Sequence, residues 1–197
     1  MSAVRRTLVA LALGAGLLAG GAAGAATIDL AASELGGGSV VVHDLGSGVL
    51  AFDPAFPGSS SMRLVVTLAP GEAAEPIAWN ALVDNLSGEL WSAFSIVLEG
   101  AHWALVGSAR ANAGAVSAID SDATRATIHF APPGEPAGLD LGAANGPGPD
   151  WLLALDDPAA TSFVMVLGPG AVPEPGAALL LALGLALTAR LGARRGA

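Results

Sequence analysis

Three histidines and a scatter of aspartates are the residues of this chain whose types could do chemistry. His43, His102 and His129 fall in separate stretches, and none has a second ligand or a nucleophile at a spacing that marks a metal site or a catalytic triad. They read as strand or surface histidines. Asp120-Ser121-Asp122 matches the opening of a calcium loop, where alternate carboxylates converge on one hard cation. The glycine and closing glutamate of an EF-hand loop do not follow. Calcium at Asp120 and Asp122, helped by Asp156 and Asp157 if their loops meet, is thus a partial match set against solvated acidic turns. No other metal and no cofactor is indicated. Carboxylate pairs for glycoside hydrolysis are tertiary arrangements that an acidic chain also supplies by chance. Gly36-Gly37-Gly38 lacks the following lysine or helix of a phosphate cradle, and Asn85-Leu86-Ser87 fits a glycosylation sequon. No residue is assigned a catalytic role, and the expectation is that the protein is not an enzyme.

The elements that hold these residues are marked out by an uneven distribution of charge. The chain has 197 residues, a net charge of −9 and no cysteine. Five of its eight arginines, Arg5, Arg6, Arg190, Arg194 and Arg195, lie at the two ends. Between 26 and 171, three arginines face sixteen carboxylates, a formal charge of −13. Nucleic acid and anionic membrane surfaces are therefore poor partners for this middle region. Divalent cations, cationic surfaces and neutral glycans stay open. Its length, roughly 145 residues, suits one domain with a real core, which must be stable without disulfides.

The first 25 residues have the order of a signal peptide. Arg5 and Arg6 form a basic n-region, Leu8 to Leu18 is apolar, and Ala23-Gly24-Ala25 supplies a small-residue cleavage site after Ala25 or Ala26. Arg5-Arg6 also fits a twin-arginine reading; Sec export is the expectation, because the surrounding residues are not distinctive. The other extremity mirrors this one. Pro173 and Pro175 hold Glu174 in an extended segment, and Pro175 suits the first turn of a helix. From Gly176 no charge appears until Arg190. That run of about 14 residues covers roughly 21 Å, short of a hydrocarbon core of about 30 Å. If Arg190 snorkels, the helix extends over 176–193, about 18 residues, enough to span with slight thinning. Arg190, Arg194 and Arg195 are then the basic membrane stop on the cytoplasmic side.

Val172-Pro173-Glu174-Pro175, a short apolar helix and a terminal arginine cluster, in that order, resemble the PEP-CTERM sorting domain of Gram-negative bacterial surface proteins. The resemblance covers 172–197, with the arginines interrupted by Leu191-Gly192-Ala193 rather than contiguous. It implies recognition by a membrane-embedded exosortase, cleavage near the motif, and transfer to the cell envelope or exterior, in a family that accompanies exopolysaccharide production and biofilm formation. A second, shorter likeness is Val83-Asp84-Asn85-Leu86-Ser87-Gly88 followed by Trp91 and Phe94, similar to a pattern in β-sandwich regions of several such proteins. Trp91 and Phe94 read as core aromatics beside a hairpin.

The middle reads as strands. Residues 26–38 form an exposed lead ending in three glycines. Val40–Val42 pairs with Val49–Phe52 across Gly46-Ser47-Gly48, and Pro54 to Ser61 is loop. Leu64, Val66 and Leu68 share one face, as do Ile77, Trp79, Ala81 and Val83, and Phe94, Ile96 and Leu98. Trp103–Val106, Ala126–Phe130, Trp151–Leu155 and Phe163–Leu167 are further strands, with a long loop over 132–150. Short alternating runs between turn signals predict one all-β, jelly-roll-like sandwich over 26–171, flanked by the signal helix and the transmembrane sorting helix. The functional expectation is an inner-membrane-anchored precursor that becomes a structural or interaction protein of the envelope or matrix. Its partners are the export machinery, exosortase and exopolysaccharide. The alternatives are a glycan- or calcium-binding module, with Trp103 as the sugar-stacking candidate, and a secreted hydrolase.

Overall fold

Alternation in sequence becomes alternation in burial. Along Met62–Thr67, Met62, Leu64 and Val66 are buried while Arg63, Val65 and Thr67 lie half-exposed; Ile77–Asn85 repeats the pattern with Ile77, Trp79, Ala81 and Val83 inside. A period of two puts successive side chains on opposite faces, so each such strand offers one apolar face to a core. The computed structural model describes residues 25–131, 138–143 and 149–171. Arg5 and Arg6, the motif Val172–Pro175, the apolar run 176–193 and the arginines at 190, 194 and 195 lie outside them.

The described residues form an all-β fold of two sheets. In chain order the strands are β1 (Thr27–Glu34), β2 (Ser39–His43), β3 (Val49–Phe56), β4 (Met62–Thr67), β5 (Ile77–Asn85), β6 (Trp91–Glu99), β7 (Ala101–Leu105), β8 (Ala109–Ala111), β9 (Ala115–Ser121), β10 (Arg125–Ala131), β11 (Gly138–Leu141), β12 (Trp151–Leu155) and β13 (Ser162–Ala171). One sheet runs β1-β4-β13-β6-β10-β9 and the other β2-β3-β5-β11-β8, with β12 joining β5 to β7. Every ladder is antiparallel except β3–β5, a parallel pair that a purely antiparallel jelly roll would not contain. The inner faces of both sheets contribute to one buried apolar cluster. Phe56 of the second sheet meets Trp91 and Phe94 of the first edge-on, with ring centroids 5.8 and 5.6 Å apart. Trp91 and Phe94 are core aromatics, as their strand phase predicts.

Four strands depart from the sequence reading. The lead is not a lead: Thr27–Glu34 is β1, an edge strand on β4 with Ile28 buried. Its alternation is hidden by a bulge between Asp29 and Glu34. There Asp29 Oδ1 accepts the N–H groups of Ala31 and Ala32, and Ser33 Oγ accepts that of Val65, so side chains replace ladder bonds. Ala115–Ser121 is an exposed edge with few large apolar residues, and so left no pattern. Ala109–Ala111 and Gly138–Leu141 are too short to show a period. In addition, β3 runs on through Pro54 to Phe56, where a loop is predicted. Pairing to β5 lapses between Ala51 and Ala55, and the Leu82 N–H is taken instead by Asp53 Oδ1 at 3.0 Å. A carboxylate thus carries the ladder past the proline.

The Asn85–Gly88 turn explains its own sequence. Asn85 Oδ1 accepts from the Ser87 N–H and hydroxyl, Asn85 Nδ2 donates to the Glu89 carbonyl, and Ser87 Oγ accepts the Glu89 N–H. Gly88 has φ +70°, a conformation costly for any residue with a Cβ. The Asn-x-Ser-Gly spacing therefore builds a self-bonded turn that leads β5 into β6.

Candidate functional site

The three histidines, widely separated in sequence, obey one geometric rule. His43 lies opposite Ala51, and its Nε2 sits 2.7 Å from Asp53, two residues on. His129 lies opposite Ala118, and its Nε2 is 3.0 Å from Asp120, again two on. His102 lies opposite Ala154, with Nδ1 2.8 Å from Asp156. Each is a diagonal cross-strand pair in which an imidazole N–H donates to a carboxylate. No sequence signal carries this, because the register decides which aspartate meets which ring. All three couples are solvent-accessible and stand on separate strand pairs. Among the described residues, no serine or threonine hydroxyl is hydrogen-bonded to any of these rings.

The aspartates singled out for calcium are each engaged separately. Asp120 bonds His129. Asp122 Oδ1 accepts from the N–H groups of Thr124 at 2.9 Å and Arg125 at 2.8 Å, closing its own turn between β9 and β10. Those backbone N–H donors, Thr124 foremost, hold its carboxyl below the ordinary aspartate range. Asp156 bonds His102, and Asp157 Oδ1 caps the Ala159 N–H. Asp120 and Asp122 do border one open surface depression, but Arg125 shares it and opposes a cation there. Among the described residues, no group of three or more histidine, cysteine, aspartate or glutamate side chains is placed to hold a metal ion.

The tryptophans are inside. Trp79 and Trp151 are fully buried and Trp103 is only 9% exposed, stacked on Trp79 at 5.9 Å and edge-on to Trp151 at 5.0 Å. Trp103 is therefore a core residue and offers no platform for a sugar ring, which corrects its place as the sugar-stacking candidate of the glycan-binding alternative. Trp151 Nε1 donates to the Ser108 carbonyl at 2.8 Å. The indole N–H groups of Trp79, Trp91 and Trp103 have no acceptor among the described residues.

A further polar feature, not anticipated, is the cross-strand pair Arg110–Asp140. The two residues lie directly opposite on β8 and β11, with Arg110 Nη2 donating to Asp140 Oδ2 at 2.7 Å. The Asp140 side chain is buried and the arginine half-open to solvent. Arg63 and Glu99 form a looser, exposed pair at 3.2 Å.

The two ends of the described chain complete the geometry. Ala26 is already packed in the core cluster, in a cleft shared with Val42, His43 and Asp44. At the other end, β13 is the longest strand and lies between β4 and β6, paired to β6 as far as Ala171 opposite Trp91. The segment that resembles a sorting motif thus begins at the residue after a central strand of the fold. No family model, no curated protein and no solved structure matches this chain.

Proposed function

We propose that this chain is an exported protein of the Gram-negative cell envelope or extracellular matrix, with a structural or interaction role linked to exopolysaccharide and no enzymatic activity. Its middle is read as a β-sandwich, delivered by the signal segment 1–25 and sorted by the PEP-CTERM-like tail 172–197. Exosortase, acting at Val172–Pro175, is the processing partner, and the helix over 176–193 with Arg190, Arg194 and Arg195 anchors the precursor in the inner membrane until then. The observation that carries the reading is the order of charge and apolar residues along the chain: Arg5-Arg6 and an apolar run at one end, Val172–Pro175, an apolar run and Arg190, Arg194 and Arg195 at the other, and sixteen carboxylates between them. A basic n-region, an apolar run and a small-residue site in that order form an export address. Among the described residues, one apolar cluster runs from Ala26 to Leu167. The acidic, cysteine-free middle suits life outside the inner membrane.

The test is the mass of the mature protein from its native host, with and without exosortase. The expected masses lack both ends in the first case and retain the tail in the second. A chain that still ends at Ala197 in both refutes the sorting reading. Because β13 lies between β4 and β6 up to Leu167 and stays paired to β6 up to Ala171, the mature C-terminus is expected at or beyond Ala171 and never within the strand.

A further inference from the structure

The strands at the sheet margins differ in how their free backbone groups are handled. An open edge is a template for another strand, and proteins blunt such edges with bulges, charges, covers or brevity. β1 is bulged, with Asp29 occupying the N–H groups of Ala31 and Ala32, and ends in Glu34. β9 carries Asp120, and its register against β10 slips at His129/Phe130. β7 is covered by the turn after β9, since the Trp103 N–H donates to the Ala123 carbonyl. β8 is three residues long. β2 has none of these devices. Its register with β3 is unbroken from Ser39 to His43, it holds no proline and no carboxylate, and its centre is Val40-Val41-Val42. Among the described residues its outward backbone groups have no partner, and the Val41 side chain is 57% exposed.

We infer that the free edge of β2 is a self-association surface, on which a second copy of this chain adds its own β2 antiparallel about a two-fold axis at Val41. The occupant follows from charge and symmetry. Placed this way Val41 meets Val41, Val40 meets Val42, and Ser39 meets His43, so no carboxylate faces a carboxylate. The surface is the same on both partners, as a closed two-fold interface requires. An acidic strand would be repelled by the formal charge of −13 carried between 26 and 171, whereas β2 is a neutral window in that field. The two domains still repel as whole bodies, so association strengthens as salt screens them, the reverse of an interface held by ion pairs.

The test uses protein produced from the full-length reading frame and purified as the host processes it. Sedimentation velocity is expected to show a concentration-dependent dimer that tightens between low and high salt. Val41→Lys is expected to weaken it at least about tenfold, equivalent to 1.4 kcal/mol, with an unchanged melting temperature at dilutions where both proteins are monomeric. The chain has no cysteine, so Val41→Cys gives a clean second readout: a disulfide-linked dimer under mild oxidation, which Ser121→Cys on β9 does not form. A monomer at every concentration overturns the inference. So does a dimer that ignores Val41→Lys and leaves Val41→Cys unlinked, because its interface then lies elsewhere.

Discussion

Asp53 performs two jobs with one carboxylate: Oδ1 accepts the Leu82 N–H where the β3–β5 ladder lapses, and Oδ2 faces His43. The two contacts differ in worth. An exposed pair contributes about 0–1 kcal/mol, whereas a backbone N–H left without an acceptor costs about 1–3 kcal/mol. Asp53→Ala is therefore expected to destabilise by about 1–3 kcal/mol and His43→Ala by less than about 1 kcal/mol, as read by urea denaturation. The tryptophans divide by the same logic. Trp151→Phe removes one of two donors to the Ser108 carbonyl, which keeps the Gly142 N–H, and loses packing, but Trp103→Phe removes an N–H that has no acceptor among the described residues. The first is expected to cost about 0.5–1.5 kcal/mol beyond the second. Equal costs would mean that the Trp151 hydrogen bond adds nothing net.

At the scale of elements, short pieces of strand are fastened by single polar side chains. β8 is held to β11 by Arg110 on the buried Asp140. Removing the arginine leaves a desolvated carboxylate, and breaking such a pair costs about 3–5 kcal/mol when both partners are buried. Here the arginine is half-open, so Arg110→Ala is expected to cost about 1–3 kcal/mol, and Arg63→Ala at its exposed pair under about 1 kcal/mol. The turn between β9 and β10 depends on Asp122 in the same way, and through Ala123 it covers the edge of β7. A carboxyl whose folded pKa is depressed adds stability above its unfolded value and loses it as pH falls through the folded value. The turn is therefore expected to loosen only in acid below the ordinary aspartate range, seen as coincident shifts of the Thr124 and Arg125 amide resonances. Asp122→Ala should abolish that titration at all pH values, while Asp122→Asn keeps an acceptor and most of the turn.

For the whole molecule, the core of the described residues runs from Ala26 to Leu167, and β13 stays paired in the first sheet up to Ala171. A chain of residues 26–171 is expected to fold and to melt within about 2 °C of the host-processed protein, by calorimetry. Ending the chain at Leu167 strips the pairing of Gly168–Ala171 from β6 and is expected to lower the melting temperature by several degrees. A large loss on trimming to 26–171 would mean that the ends contribute to packing, and would count against reading them as removable addresses.

What the residues determine locally is the list of faces. Leu64-Val66, Ile77-Trp79-Ala81-Val83 and Phe94-Ile96-Leu98 alternate because a pleated strand half-buried in a core demands it, so those strands and the all-β class are legible in the chain alone. The concentration of arginine and apolar residues at both ends, and of carboxylates between them, is likewise plain from order. Contacts between strands are different in kind. Which aspartate meets which histidine, where a bulge hides β1, how Asp53 carries β3 past Pro54, and why Trp103 is enclosed rather than offered to solvent all depend on register and on the second sheet. Those are long-range pairings, and a one-residue slip would reverse every face. Side-chain chemistry along the strand therefore names the candidates, and only tertiary pairing decides which of them touch.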